Sequence, residues 1–219
     1  TIHTKSLLTD VKVLLKEIMK TFNSCTEVWP VNESTQEVLK SYEEKGYKKY
    51  KGNQIDIQGE KAYLKSAYNL LSQSDATSAN VTPYDAQVAK VNYIGGNNWS
   101  GAGDTISWKV SVPQDGLYAI TFAYQQSYIV NGSSYRVLRV DGEIPFAEAA
   151  EIDFNYCNSW KLNRFGDKSG EPYLIYLEEG ERVISLEVNL GCLSNFAVEL
   201  KYIPYNIAKF SNGNYYGAL

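Results

Sequence analysis

The strongest constraint on the fold is an alternation of apolar and polar residues with a period of two, which recurs from about residue 54 onward. Runs that fit strands lie at residues 55–58, 106–112, 118–124, 135–140, 152–154, 173–177, 184–190 and 196–202. Turn sequences such as Asp115-Gly116 and Asp141-Gly142 separate neighbouring runs. Because each strand has one apolar face to bury, we predict a mainly β fold, an antiparallel β-sandwich of about eight strands. Trp108 shares the phase of the apolar residues in its run and is therefore assigned to the core.

The first fifty residues have a helical period instead. Apolar residues recur every three or four positions over residues 6–22, which predicts an amphipathic helix. A second helix is predicted over residues 33–45, with Asn32 or Ser34 as its N-cap and Gly46 at its end. We therefore divide the chain into a helical segment (1–50), the β-sandwich (51–205) and a linker or tail (206–219). The helices are too few to form a core alone, so they must pack on each other, on the sandwich or on another part of a longer protein.

Composition excludes several classes of partner. The chain carries 21 Lys and Arg against 25 Asp and Glu, a net charge of −4, and a nucleic-acid partner is therefore disfavoured. No run of about 18 apolar residues exists that would insert into a membrane. The three cysteines, Cys25, Cys157 and Cys192, lack metal-ligand spacing. One disulfide, between Cys157 and Cys192, is possible, although we favour buried free thiols.

The sequence also argues against an enzyme. The only histidine is His3, so a catalytic triad or a Cys–His pair has no base within the sandwich. A glycosidase would need two carboxylates about 5–10 Å apart. Several carboxylates are available, but we interpret them as a solvated acidic rim. They are Glu143, Glu148, Glu151, Asp153 and Glu171. We therefore predict a non-catalytic protein.

The candidate binding residues are aromatics and amides in loops. Aromatic residues make up 13% of the chain, and 18 of them are tyrosines. Sugars stack on Trp or Tyr rings while amides bind their hydroxyls, so an aromatic beside an amide is the smallest useful combination. The candidates for such a site are Asn98 with Trp99, Tyr128 with Asn131, and Trp160. The alternative for Trp99 is a ring that plugs one end of the sandwich.

Several motifs of the β region, in this order, resemble carbohydrate-binding modules of families six and thirty-five. They are the acidic residue after residues 55–59, the strand and Pro at 104–113 followed by Gly116-Leu117-Tyr118, the strand ending in Asp-Gly at 136–142, and the long alternating strand at 177–190. Motifs at 95–99, 144–149 and 170–177 further resemble a module of the large extracellular solute-binding proteins of sugar ABC transporters in Gram-positive bacteria. The resemblance covers about residues 54–203. It implies a jelly roll with a galactose-binding-like fold, located outside the cell.

The resemblance also implies a binding mode. The sugar site would lie in loops at one end of the sandwich, with two aromatics and an amide near the last strand, where Asn195 falls. We expect Arg136 to select hydroxyl geometry, and the acidic residue of the first strand, Glu60, to bind a structural Ca²⁺ with backbone carbonyls. The implied partners are an oligo- or polysaccharide and other domains of a larger parent protein.

One alternative of a different class stays open. In it the sandwich is a structural or interaction domain without a sugar site, which docks on the lobes of the parent protein. This alternative predicts that Trp99 and Trp160 are buried against helices or strands.

Overall fold

The computed structural model describes residues 34–189, all within one compact unit. The elements are one helix, α1 (Thr35–Glu44), two short 3₁₀ helices (Gly96–Asn98 and Ala147–Ala150), and eleven strands. The strands are β1 (Leu64–Lys65), β2 (Ser72–Gln73), β3 (Tyr93–Ile94), β4 (Thr105–Val112), β5 (Gly116–Ala119), β6 (Thr121–Gln126), β7 (Ser133–Val140), β8 (Ile152–Asn155), β9 (Cys157–Arg164), β10 (Leu174–Leu177) and β11 (Gly180–Asn189). All strand pairs are antiparallel. The predicted fold class, antiparallel β preceded by a short helix, is confirmed.

The largest sheet has the strand order β1-β4-β11-β7-β8. Its register aligns the alternating apolar residues of three strands. Leu186 on β11 lies between Ile106 on β4 and Leu138 on β7, and the next inward residue, Ile184, lies opposite Trp108. All five side chains are buried in one core cluster. The period-two pattern thus forms one continuous apolar face, and the assignment of Trp108 to the core is confirmed.

A second layer consists of two short pairs, β10 with β5 and β6 with β9. The alternating run at 118–124 is divided between β5 and β6 at Ile120, whose carbonyl accepts a hydrogen bond from the amide of Phe165. Ile175 and Leu177 from β10 join the core cluster, and the ring of Phe122 packs against it. The two layers therefore share one core.

The helix α1 is fixed to this unit at its N-terminus. Ser34 and Glu37 form a capping box, and Gly46 just beyond the helix has φ +72°, a conformation that favours glycine. The backbone amide and the hydroxyl of Thr35 both donate to Oε2 of Glu148, at 3.1 and 2.5 Å. A carboxylate is stabilised there because the first turn of a helix carries partial positive charge. Val38 is buried in the core cluster, so the helix packs on the sandwich.

Some sequence predictions need correction or fall outside the described part. The strand predicted at 55–58 is wrong: those residues form no strand, Ile57 is 43% exposed, and β1 pairs with β4 instead. The pattern failed there because two alternating apolar residues are too few to define a buried face. Strand β9 was not predicted. The helix at 6–22, the strand at 196–202 and the tail at 206–219 lie outside the described residues.

Cys157 is a buried free thiol, as favoured from the sequence, and Cys25 and Cys192 lie outside the described residues. Among residues 34–189, no helix has the length and apolar character needed to cross a membrane.

Candidate functional site

Two aromatic rings from distant parts of the chain meet beside a carboxylate. Tyr93 on β3 and Trp160 on β9 contact edge to face, with ring centroids 5.7 Å apart. The indole Nε1 of Trp160 donates to Oδ2 of Asp75 at 2.7 Å, and the hydroxyl of Tyr93 donates to Oε1 of Gln73 at 2.9 Å. We call Gln73, Asp75, Tyr93, Tyr128 and Trp160 the aromatic cluster. Trp160 and Tyr93 thus each donate a hydrogen bond to a side-chain oxygen of the cluster.

Tyr128 joins this cluster from the loop after β6. Burial raises the pKa of Tyr93, and the nearby Tyr128 phenol and Asp75 carboxylate raise it further, because a negative charge on either group opposes a second one. Tyr128 itself is 63% exposed. The cluster therefore combines a partly buried pair of rings with one exposed ring.

The carboxylate of Asp75 is held by neutral donors. Its pKa is lowered first by the hydroxyl of Thr77, then by the indole of Trp160 and the amide of Thr77. Thr77 donates to Oδ1 through Oγ1 at 2.6 Å and through N at 2.7 Å. These three donors keep the carboxylate ionised and oriented.

A buried amide positions the loop that carries Asp75. Asn92 is 6% exposed, and its Nδ2 donates to the carbonyls of Asp75 (2.8 Å) and Pro83 (3.1 Å). Its Oδ1 accepts from the amide of Asp75 at 2.8 Å. Since Asn92 immediately precedes Tyr93, one short segment fixes both the carboxylate and a ring.

A second buried amide positions the loop that carries Tyr128. Gln126 is 7% exposed, and its Oε1 accepts from the amides of Tyr128 (2.9 Å) and Ile129 (2.8 Å). Its Nε2 donates to the carbonyls of Ile129 and Gly132, both at 3.3 Å. Asn131 in this loop is exposed and has φ +60°, a left-handed conformation that Asn tolerates better than most residues. It supports the turn of the loop.

Trp99 and Arg136, both candidates from the sequence, contact each other. The guanidinium carbon of Arg136 lies 4.4 Å from the centroid of the Trp99 ring system. The ring also meets Trp108 edge to face, and its Nε1 donates to the carbonyl of Asp104. A Cβ at Gly95 would lie 2.8 Å from Cε3 of Trp99, so the backbone packs directly on the ring. Trp99 thus has the environment of a ring that plugs the sandwich.

The guanidinium of Arg136 is used inside the protein. It donates to Oγ of Ser134 at 2.6 Å and to the carbonyls of Tyr135 (2.8 Å) and Trp99 (3.0 Å). Burial lowers the pKa of Arg136 to about 10, which leaves it charged at neutral pH, and Asp104 opposes the shift. This geometry favours locking the Trp99 loop over reading sugar hydroxyls.

Gln73 connects the aromatic cluster to the segment of Trp99 and Arg136. Its Nε2 donates to the carbonyl of Gly95 at 3.1 Å, while its Oε1 receives the hydroxyl of Tyr93. Asn98 lies in the exposed 3₁₀ helix that follows Gly95, and Asn195 lies outside the described residues. The structure therefore places Trp160 against Tyr93, with Tyr128 near Tyr93, and pairs Trp99 with Arg136.

Sequence reasoning missed Gln73, Asp75 and Tyr93. Gln73 lies in β2, Tyr93 lies in β3 and Asp75 follows β2. These two strands have two residues each and show no alternation. The Asp75–Trp160 contact joins residues 85 positions apart. The only sequence signal was an aromatic next to an amide at Asn92-Tyr93, the same signal that selected Trp99.

Glu60 has an unusual environment for a carboxylate. Its Oε2 is buried and has no hydrogen-bond partner among residues 34–189. Its backbone carbonyl accepts from the hydroxyl of Ser72 at 2.7 Å, and the preceding carbonyl, of Gly59, accepts from the indole of Trp108 at 2.8 Å. A carboxylate oxygen is a ligand type that Ca²⁺ prefers, and since residues 34–189 contain no group of three or more His, Cys, Asp or Glu side chains that could hold a metal, backbone carbonyls would have to supply other ligands.

No protein-family model and no curated protein matches this chain. The chain is similar to several solved structures. One is a cycloisomaltooligosaccharide glucanotransferase of Paenibacillus sp. complexed with cycloisomaltoheptaose (19% identity, 75% of this chain and 22% of that chain, TM-score 0.46). Another is the GH26-CBM35 β-(1,4)-mannanase of Podospora anserina (17% identity, 62% of this chain and 24% of that chain, TM-score 0.42). A third is a family 35 carbohydrate-binding module from Clostridium thermocellum (20% identity, 57% of this chain and 79% of that chain, TM-score 0.41).

The chain thus spans less than a quarter of the length of the first two enzymes.

Proposed function

We propose that this chain is a non-catalytic, extracellular carbohydrate-binding module that holds an oligo- or polysaccharide on its aromatic cluster. The observation that carries the proposal is the contact of Trp160, a residue selected from the sequence, with Tyr93 beside a fixed carboxylate. Tyr128, also selected from the sequence, lies near Tyr93. A pyranose has apolar faces that stack on such rings and hydroxyls that bind carboxylate and amide oxygens. The order of the sequence motifs supports the same function.

The binding mechanism follows from what is fixed and what is exposed. Trp160 is held by Asp75 and by the edge contact with Tyr93. A sugar that stacks on the indole therefore does not have to immobilise it, and binding loses less side-chain entropy. Tyr128 is exposed, and the backbone of its loop is held by Gln126. Because only one or two rings stack on the sugar, we expect a Kd of about 10 µM to 1 mM.

The ionisation of Asp75, the carboxylate of the aromatic cluster, fits a binding role better than the role of a general acid. A glycosidase uses a general acid whose pKa is raised by its surroundings. The pKa values of Glu37, Asp75, Asp85 and Asp167 are instead lowered by hydrogen bonds. Such carboxylates accept hydrogen bonds and are poor proton donors at neutral pH.

A calcium ion held by Glu60 is part of the proposal. Its carboxylate, with backbone carbonyls nearby, would hold the ion, and a bound Ca²⁺ would supply positive charge that stabilises this segment. The support is the buried, unpartnered Oε2. The role of the residues themselves is to anchor the segment before β1 to β2 through the Glu60–Ser72 hydrogen bond.

The wider setting that we propose is a solute-binding or other surface protein of a sugar ABC uptake system, in which other domains of the parent protein adjoin this one. The support is the resemblance of the motifs at 95–99, 144–149 and 170–177. The enclosed environment of Trp99 favours a second candidate, a docking domain without a sugar site. The two candidates differ in what they predict for the aromatic cluster.

The test is a glycan array followed by calorimetric titration of the purified protein and of two variants, Trp160→Ala and Tyr128→Ala. We expect specific binding that each variant reduces at least about tenfold, since a stacking aromatic contributes on the order of 1 kcal/mol or more beyond its buried area. Tyr68→Ala is the matched control, because Tyr68 is 95% exposed. Absence of binding to every glycan up to millimolar concentrations would favour the docking candidate.

A further inference from the structure

The aromatic cluster carries the negative charge of Asp75, which forms no ion pair within the part of the chain that the structure describes. Among the ion pairs of residues 34–189, none includes Asp75. Its three donors, two from Thr77 and one from Trp160, are neutral groups. A ligand bound beside Trp160 therefore experiences the negative charge of Asp75.

The guanidinium of Arg136, which is connected to the cluster through Gln73, is directed elsewhere. Arg136 is reached from the cluster through Gln73, Gly95 and Trp99, and its guanidinium lies over the Trp99 ring. Its hydrogen bonds to Ser134 and to two carbonyls hold it there. An anionic ligand at the cluster would therefore meet the Asp75 carboxylate without a guanidinium to offset it.

The carboxylate has capacity for one more donor. Two carboxylate oxygens offer about four lone-pair positions, and three are used by Thr77 and Trp160. A sugar hydroxyl can donate to the fourth, and a hydrogen bond to an ionised acceptor is about twice as strong as a neutral one. A sugar carboxylate cannot donate and is repelled.

We propose that Asp75 makes the aromatic cluster selective for neutral sugars and excludes uronate-bearing ones. This inference rests on the proposed function, because it concerns the ligand of the same surface. Two unit charges about 5 Å apart in water repel enough to change affinity about fourfold, and more where water is excluded. The discrimination falls as salt is added, because ions screen charges over about 10 Å at 0.1 M and about 3 Å at 1 M.

The test compares ligands that differ only in charge. The full chain is titrated with oligogalacturonate, with its methyl ester, and with neutral oligosaccharides of glucose, mannose, galactose and xylose. We expect at least fourfold weaker binding of the uronate than of its ester at low salt, and a smaller difference at 1 M salt. Asp75→Asn keeps an oxygen for the Trp160 indole but removes the charge, so the ratio of the two affinities should approach one.

The outcomes separate the two proposals. If no glycan binds, or if Trp160→Ala leaves binding unchanged, the proposed function fails and the selectivity falls with it. If neutral glycans bind through Trp160 but the uronate binds as well as its ester, the proposed function stands and the role of Asp75 is wrong. A ratio that does not change with salt in the unmodified protein also overturns it, and this measurement does not depend on how the Asp75 variant folds.

Discussion

Replacing Asn92 by alanine should loosen the loop of Asp75 and with it the aromatic cluster. The side chain is 6% exposed and makes three hydrogen bonds, two with the backbone of Asp75 and one with the carbonyl of Pro83. Net contributions are about 1 kcal/mol for each bond, and a backbone group left buried without a partner costs about 1–3 kcal/mol. Because water can reach part of the loop, we expect a loss of about 3 kcal/mol in the free energy of unfolding, a large share of the 5–15 kcal/mol typical of a domain.

The assay for Asn92→Ala combines urea unfolding, followed by circular dichroism, with titration of whichever glycan binds. The Trp160 indole should lose its fixed acceptor, so sugar affinity should fall together with stability. Asn80→Ala is the matched control: Asn80 is exposed, lies in the same loop and is expected to change stability by less than about 0.5 kcal/mol. Equal unfolding midpoints for the Asn92 and Asn80 variants would refute the reasoning.

A second substitution, Asn92→Asp, separates hydrogen bonding from packing. It keeps the size of the side chain but places a carboxylate against the carbonyls of Asp75 and Pro83, which need a donor. Protonation restores a donor, so the pKa of the new carboxyl is raised in the folded state and its stability contribution is lost as pH rises. We expect this variant to be closer to the unmodified protein at pH 4 than at pH 7, whereas the alanine variant should show no such recovery.

Three further predictions concern other parts of the site. Gln126→Ala should speed amide exchange at Tyr128 and weaken sugar binding, because four hydrogen bonds to its loop are lost, and Gln125→Ala serves as the exposed neighbouring control. The folded-state pKa of Asp75 is lowered, so its stabilising effect is present above its ordinary value of about 3.8 and is lost as pH falls through the lowered value; tryptophan fluorescence should report an acid transition that Asp75→Asn removes. Ca²⁺ should raise the melting temperature, and Glu60→Gln should abolish that increase without affecting the acid transition.

The sequence predicted β4, β7 and β11 well because the alternation of their apolar residues matches their register. One row across three strands consists of Ile106, Leu138 and Leu186. Antiparallel pairing favours such a row, because it places the apolar faces of the strands on the same side of the sheet. Strand β9 could not be predicted in this way, since most of its side chains are exposed on both faces and Leu162 is 76% exposed. Apolar and polar residues alternate when one face of a strand is buried. A strand with few buried side chains therefore shows no such alternation in the sequence.

The site was predictable in part for a related reason. Residue type alone selected Trp160 and Tyr128, because large aromatics next to amides are typical of sugar sites. Asp75 and Tyr93 acquire their roles only through strand pairing and through a contact between residues 75 and 160. No local pattern encodes contacts over that separation.

Trp99 and Trp160 show why residue type cannot by itself separate a structural aromatic from one that we propose to bind sugar. Both lie near asparagines and serines, and both donate their indole N–H to an oxygen of the protein. The difference is what meets the ring: Trp99 has a guanidinium over it and the backbone of Gly95 against it, whereas the ring contact of Trp160 is the edge contact with Tyr93. Substituting each by phenylalanine should therefore have opposite consequences, with Trp99→Phe lowering stability and sparing sugar affinity, and Trp160→Phe lowering affinity while sparing most of the stability.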